Sequence, residues 1–281
     1  TTVTSVGMTV VTGDIGVYAG NQVTGFNPPG VFTGALHAGD TFAQLAQLDL
    51  LDAYNLLAGL PCNVELTDTN LGGLVLAPGV YRFASSAAMS NVALTLEGTL
   101  SPSDAWVFQV GSSLITDPLA SVVLTCGARS SNVFWQVGSS ATLDHDTWFV
   151  GSVLAYSSVS ANDGASLDGR ALALNGAVTL INNAFTIPSS NSSNCTATPT
   201  PSCLPANSSN CNATATPTAT PTPSCLPANC TATPTPSCLP TNSSNCTPTS
   251  NSAPTHSPQF AGLAVVIVTA LLSVVLSAQS L

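Results

Sequence analysis

The residues best equipped for chemistry in this 281-residue chain fall in one short window: Asp144, His145, Asp146, Asp163, Asp168 and Arg170. Carboxylates at that density could share a Ca²⁺ ion, and a histidine between two aspartates could exchange a proton with a substrate. Parallel β-helices that act on polysaccharides work with such groups. Against that reading, the local spacing puts Asp144, His145 and Asp146 together at one corner, where an exposed carboxylate is ordinarily just solvated. No motif supplies a nucleophile with a base. The window therefore predicts no enzyme, no metal site and no cofactor.

The elements that carry this window follow from its spacing. Residues 147–182 divide into six consecutive hexads: TWFVGS, VLAYSS, VSANDG, ASLDGR, ALALNG and AVTLIN. A period of six is too short for a helical repeat and suits a strand of three or four residues followed by a corner, as in a parallel β-solenoid. Three such sides close a coil of about 18 residues. Side chains alternate along a strand, so the third residues Phe149, Ala155, Ala161, Leu167 and Ala173 point inward. In the last hexad the phase slips by one, and Val178 and Leu180 take the inward places. An antiparallel sandwich of short strands is the alternative, but it rarely keeps so strict a spacing.

Charge divides the chain. It has 13 acidic residues, three arginines and no lysine, a balance that argues against nucleic acid or anionic lipid as partner. No charged side chain follows Arg170, and the sequons at Asn191, Asn194, Asn207, Asn212, Asn229, Asn242 and Asn245 all lie beyond residue 190. This predicts a folded domain over 1–187 and a glycosylated, disordered stalk over 188–253. The stalk repeats PTPSCLP and NSSNC; Pro- and Thr-rich uncharged sequence cannot bury a core. A hydrophobic segment over 254–281 completes the chain. Two cysteines, Cys62 and Cys126, fall in the domain and seven in the stalk. In an oxidising compartment Cys62 and Cys126 could form the domain's one disulfide, or remain two buried thiols. The odd number in the stalk leaves one free or intermolecular.

Within the domain, the first nineteen residues read as short strands with corners at Gly7, Gly13 and Gly16. The pieces TGF, NPPG, FTG and HAGD up to Asp40 are turn chemistry. The first residue is not Met, which suggests that a signal peptide is missing from the front. Asp40 is the expected N-cap of the one helix, whose apolar stripe is Phe42, Ala46, Leu50, Ala53 and Leu57 and which ends at Gly59 and Pro61. Such a stripe must lie against something, and the outside of the solenoid is the available partner. Strands resume from Leu71. The near-copies FQVGSSLIT and WQVGSSATL are 27 residues apart, which is not a multiple of 18, so the early coils are irregular.

Several of these pieces together resemble one family. TGDIGV (12–17), TGF (24–26), HAGD (37–40), LGGLVLAPGVYRF (71–83), NVFWQVGSSATL (132–143) and GRALALNGAVTL (169–180) are similar to the DUF3494-type ice-binding proteins, secreted by cold-adapted microbes and algae. The resemblance implies an irregular right-handed parallel β-solenoid of triangular section, all-β but for one long helix alongside, that adsorbs to ice through one flat face. It implies no pocket, metal or cofactor. Its partners would be ice and water, met by a monomeric domain.

Three candidate sides follow. Phe134, Leu154, Tyr156, Leu172 and Leu174 make one side too greasy for solvent, which is assigned to the helix. The family often carries Thr-(Ala/Gly)-X-(Thr/Asn) on its ice face. TGFN fits it, TGAL keeps two positions, and HDTW and DGAS keep less, so Thr24, Asn27, Thr33, Thr147 and Ser166 are the expected ice-binding set. The remaining side offers Thr142, Ser160 and Thr179 as an alternative ladder.

The C-terminus adds a location. Phe260 to Ala278 is an uncharged apolar run which, as a helix, would span about 28 Å, near a bilayer core's thickness. Small residues at 250–253 and a short polar spacer precede it, which matches a GPI-attachment signal with cleavage near Asn251. A retained membrane helix is the alternative. Either places the domain outside the cell, tied to the membrane. A cell-surface adhesin or wall protein is the second functional reading, and a polysaccharide-acting β-helix enzyme a weaker third.

Overall fold

The computed structural model describes residues 1–191, residue 193 and the backbone of Leu263–Val266. In chain order it begins with β1 (Thr2–Val6), β2 (Val10–Val11), β3 (Ile15–Tyr18), β4 (Gln22–Thr24), β5 (Val31–Phe32) and β6 (Leu36–Ala38), followed by α1 (Thr41–Gly59), the one α-helix among the described residues. Then come β7 (Val64–Glu65), β8 (Val75–Leu76), β9 (Gly79–Phe83), β10 (Ala87–Met89), β11 (Leu94–Glu97), β12 (Trp106–Val110), β13 (Leu114–Thr116) and β14 (Val122–Thr125). The regular part holds β15 (Val133–Val137), β16 (Ala141–Leu143), β17 (Trp148–Ala155), β18 (Val159–Ala161), β19 (Ser166–Ala173), β20 (Val178–Ile181) and β21 (Ala184–Thr186); β22 (Leu263–Val266) stands apart.

All pairings but those of β22 are parallel, and the strands wind into a solenoid with three faces. The helix face contains β7, β9, β12, β15, the second halves of β17 and β19, then β22, β3 and β6. A second, hydroxyl-rich face has the order β10-β13-β16-β18-β20-β1-β4. The third face has β8, β11 and β14, then the first halves of β17 and β19, β21, β2 and β5. Strands β17 and β19 turn from the third face to the helix face without a break. The corner works because Gly151 adopts φ +106° and a Cβ on Gly169 would lie 1.9 Å from the Gly151 carbonyl oxygen; only glycine fits there.

The hexad logic describes the regular rungs. Phe134, Ser152 and Arg170 are in register, an 18-residue rung, while Trp106 pairs with Val133 at 27. The extra residues of the early rungs sit at the corner between the third face and the helix face, where 98–105 and 126–132 loop outward and the latter includes a short 3-10 turn, Ser130–Asn132. Phe149, Ala155, Ala161, Leu167, Ala173, Val178 and Leu180 are all buried, as the alternation requires. Neighbouring rungs place like side chains on one another: Phe108 stacks on Trp135 with centroids 3.9 Å apart and on Tyr81 at 5.4 Å. Each indole also needs a partner in the dry interior, and Trp106 Nε1 donates to the Leu76 carbonyl at 3.0 Å, Trp135 Nε1 to that of Val150 at 2.9 Å.

Chain order and rung order differ at one place. Strands β1 and β2 stack on β20 and β21, so the N-terminus forms the far end of the solenoid. The chain must then return along its whole length to begin β7. Helix α1 makes that return; its 19 residues cover about 28 Å at 1.5 Å per residue. Asp40 caps it, accepting from Ala43 N at 2.8 Å, and at the other end Gln109 Nε2 donates to the Leu57 and Leu60 carbonyls at 2.8 Å each. Its buried stripe is Ala43, Ala46, Leu50, Ala53 and Leu57. Ala43 stands where Phe42 was expected; Phe42 is exposed and stacks on His37 at 4.2 Å. A phenyl ring one position earlier in the first turn faces the loop, not the sheet.

Cys62 precedes β7, and Cys126 lies in the corner leading to β15; each is disulfide-bonded. One further expectation changes. Residues 263–266 of the apolar run form a strand and no helix, antiparallel between β19 and β3. Among the described residues no helix is long and apolar enough to cross a membrane.

Candidate functional site

The hydroxyl face is where small polar side chains fall into register. Thr142 pairs with Ser160, Ser160 with Thr179, Thr179 with Thr4, and Thr4 with Thr24. Inward neighbours on either side of the first three are apolar and buried: Ala141 and Leu143 around Thr142, Val159 and Ala161 around Ser160, Val178 and Leu180 around Thr179. The five hydroxyls therefore point outward in one column, about 4.8 Å apart along the solenoid axis. Ala88 and Ile115 extend the column toward β10. A second column follows from the residues two positions earlier along each strand: Ser140, Ser158, Ala177 and Thr2. No outward position in either column carries a charge.

The expected ice-binding set does not come together. Thr24 is exposed and belongs to the hydroxyl column, with Asn27 exposed in the turn that follows it. Thr33 lies just past β5 on the third face, its Oγ1 accepting from Gly13 N at 3.1 Å. Ser166 is also on the third face, between Trp148 and Ala184. Thr147 cannot meet any external surface: it is 0% exposed and its Oγ1 lies 2.9 Å from that of Thr116. Alternation already required this, because Thr147 is two residues before the inward Phe149. The four-residue pattern selects corners, and corners belong to different faces.

The alternative ladder of Thr142, Ser160 and Thr179 is continuous, and Thr4 is the member that sequence reading missed. Its signal is visible afterwards: TVTS alternates like VTLI of β20, but no local feature shows that these segments are neighbours.

The third face is uneven by comparison. Trp148 is 63% exposed and shares a row with Ser166, Ala184, Val10 and Val31. Asp168 stands beside that row, held by Ser189 N at 3.2 Å; burial pushes its carboxyl above the usual carboxylate range, with hydrogen bonds from Ser130 and Ser189 working against it.

The carboxylate window disperses. Asp144 Oδ1 accepts from Asn162 Nδ2 at 2.8 Å and from His145 N at 2.9 Å, and these bonds hold its carboxyl below the usual range, the first more strongly. Asp163 accepts from Asn182 Nδ2 at 2.6 Å on the next rungs. Both are corner ladders between rungs. Asp168 and Arg170 flank Gly169 and so lie on different faces, where burial lowers the pKa of the arginine. Among the described residues no three His, Cys, Asp or Glu side chains form a group that could hold a metal. Asn191 is exposed, while the other sequons, the stalk cysteines and Asn251 lie outside the described residues.

Comparison with known proteins agrees with this architecture. The family model described as ice-binding-like matches residues 1–186. An ice-binding protein of Nostoc sp. (strain HG1) is 48% identical over 183 residues, which cover 65% of this chain and 67% of that one. An ice-binding protein of Leucosporidium sp. (strain AY30) is 33% identical over 192 residues, 60% of this chain and 72% of that one. Among solved structures, an ice-binding protein from an Antarctic biological consortium superposes with a TM-score of 0.65 at 43% identity, covering 67% of this chain and 85% of its own. One from the Antarctic ascomycete Antarctomyces psychrotrophicus gives 0.62 at 39% identity, covering 66% and 90%. With two thirds of its length matched by one family model, the chain belongs to the ice-binding-like family.

Proposed function

We propose that this protein binds ice through its hydroxyl face and thereby slows the growth and recrystallisation of ice. The observation that carries the reading is the in-register column of Thr142, Ser160, Thr179, Thr4 and Thr24, none of them charged. Methyl and hydroxyl groups repeated on a rigid lattice order the water above them. A single charge in such a lattice would hold its own hydration shell and break the pattern. The backbone bonds between rungs fix the spacing before ice is met, so little conformational entropy is lost on adsorption. A single chain supplies the whole face, and the work needs no second copy and no covalent chemistry.

The test is partition during slow freezing. The full-length chain, fused to a fluorescent protein, is expected to enter the growing ice. Full retention in the liquid, with a β-rich circular dichroism spectrum, would contradict the proposal.

We further propose that the protein acts at the cell surface, held through its C-terminal apolar run, where it would keep ice or brine pockets next to the cell. Release by phosphatidylinositol-specific phospholipase C supports a lipid anchor; retention with recovery of a peptide containing Gln279 supports a membrane helix. Pairing of Leu263–Val266 with β3 and β19 is a competing use of the same residues. An intact secreted chain would favour that use.

A further inference from the structure

We infer that the third face carries a second binding site, a cleft at Trp148 that takes a neutral, β-linked oligosaccharide by stacking a sugar ring on the indole. The cleft lies at a seam. Strands β8, β11 and β14 form one sheet, and the first halves of β17 and β19 belong to another. Among the described residues the two meet in a single bridge, Ser121 with Trp148. Past that bridge β14 runs out into the 126–132 loop, while β17 turns at Gly151 onto the helix face. The Val150 carbonyl accepts from Trp135 Nε1 at 2.9 Å and so faces the interior. The strands therefore part, and a cavity of about 380 Å³ opens between them, with Ser121, Val123, Leu124, Trp148, Val150 and Asp168 in its lining. That size is within the ordinary range of small-molecule sites.

The lining decides the ligand. Trp148 is exposed, whereas Trp106 and Trp135 are buried, and its neighbours along the row, Ser121 and Ser166, are too small to cover an indole. Across the seam stand the exposed Val123 and the half-buried Leu124. On the Trp148 side Asp168 accepts from Ser189 N at 3.2 Å and from Ser130; a carboxylate has about four acceptor sites, so it can still receive hydroxyls. No cation is in the lining. The chain has no lysine, Arg82 and Arg170 belong to the helix face, and Arg129 Nη1 donates to the Pro102 carbonyl at 3.4 Å. Phosphate, sulfate and carboxylate ligands therefore find no counter-charge here. A pyranose with equatorial hydroxyls is apolar on both ring faces and polar around its rim. Its faces match the indole and the aliphatic wall, and its rim matches the Asp168 carboxylate and the Ser121 hydroxyl. A quaternary ammonium is held by a cage of several rings, and this cleft has one.

The site also continues along the solenoid axis. Leading away from Trp148, the outward residues Ser121, Ala93 and Gly73 are small, and Val123, Thr95 and Val75 stand beside them in register. Val75 and Val123 are both exposed. A shallow trough of this shape suits a straight chain of β-linked rings. The inference is independent of the ice-binding reading, since the cleft and the hydroxyl column are on different faces.

The experiment is titration of the secreted full-length chain with cellohexaose, after enzymatic removal of N-glycans so that the chain's own sugars do not compete. Acrylamide quenching of tryptophan fluorescence reads the site directly, because Trp148 is the one exposed indole of three. The expected result is saturable protection of Trp148 from acrylamide, with a heat of binding in calorimetry that Trp148→Ala removes. Asp168→Asn keeps an acceptor for Ser189 N but loses the charged acceptor for ligand hydroxyls, and should raise the Kd roughly tenfold. No saturable change in the wild type, undiminished calorimetric binding by a folded Trp148→Ala protein, or an unchanged Kd in Asp168→Asn would overturn the inference. Protection by tetramethylammonium chloride where cellohexaose gives none would overturn it as well, and would make the cleft a cation site.

Discussion

The helix face and the hydroxyl face are built from the same rungs at the same spacing, yet among the described residues one is covered and the other bare. What separates them is the outward residue. On the helix face the outward positions are Val80, Val107, Phe134, Leu154 and Leu172, which pack with Leu50, Ala53 and Leu57 of α1. On the other face they are Thr142, Ser160, Thr179, Thr4 and Thr24. The apolar set gains from leaving water, roughly 25 cal/mol for each Å² buried, and so recruits the helix. The hydroxyl set gains little from a protein partner and stays in contact with water. A solenoid lattice thus assigns its partners by outward side chain alone, with the backbone held constant.

The comparison can be broken most forcefully on the covered side. Leu172→Ala or Leu50→Ala is expected to cost about 2–5 kcal/mol, seen as a lower denaturation midpoint, while thermal hysteresis of the folded fraction stays at the wild-type level. Loss of both together in the native state would mean that the two faces are not independent.

On the bare side the expected effects reverse. Thr179→Tyr should remove most of the thermal hysteresis and leave stability within about 1 kcal/mol, since an outward, part-exposed position tolerates a larger side chain. Ser166→Tyr on the third face should alter neither. An equal loss from Ser166→Tyr would shift the ice contact toward the corner shared by the two faces.

The smallest effect belongs to Asp168. Burial raises its carboxyl above the unfolded value of 3.8, so its protonated form suits the fold better; the favourable contribution is complete below that value and is lost as pH rises through the folded pKa. Asp168→Asn, neutral throughout, is therefore expected to melt slightly higher than wild type at pH 7, with the advantage vanishing toward pH 3. A melting curve at each pH checks the sign.

Much of this was legible because solenoid order is local. The hexads of 147–182 gave the 18-residue rung and its inward residues, and the helix followed from its cap, its stripe and its stop. Two things were not legible, each for a physical reason. Thr4 joins the column only through pairing with Thr179, a contact between distant segments that local periodicity cannot report. Thr147 fits a four-residue surface pattern yet is fully buried, because alternation along the strand, not the pattern, fixes the direction of a side chain.

The central claim is that the in-register hydroxyl column is the surface that meets ice, and ice-plane affinity of the fluorescent full-length chain tests it most directly. A hemisphere of single-crystal ice is grown in the presence of wild type, Thr142→Tyr/Thr179→Tyr, or Ser166→Tyr. The account predicts stained planes for wild type and Ser166→Tyr and a blank hemisphere for the double variant. Undiminished staining by a folded Thr142→Tyr/Thr179→Tyr protein would contradict it.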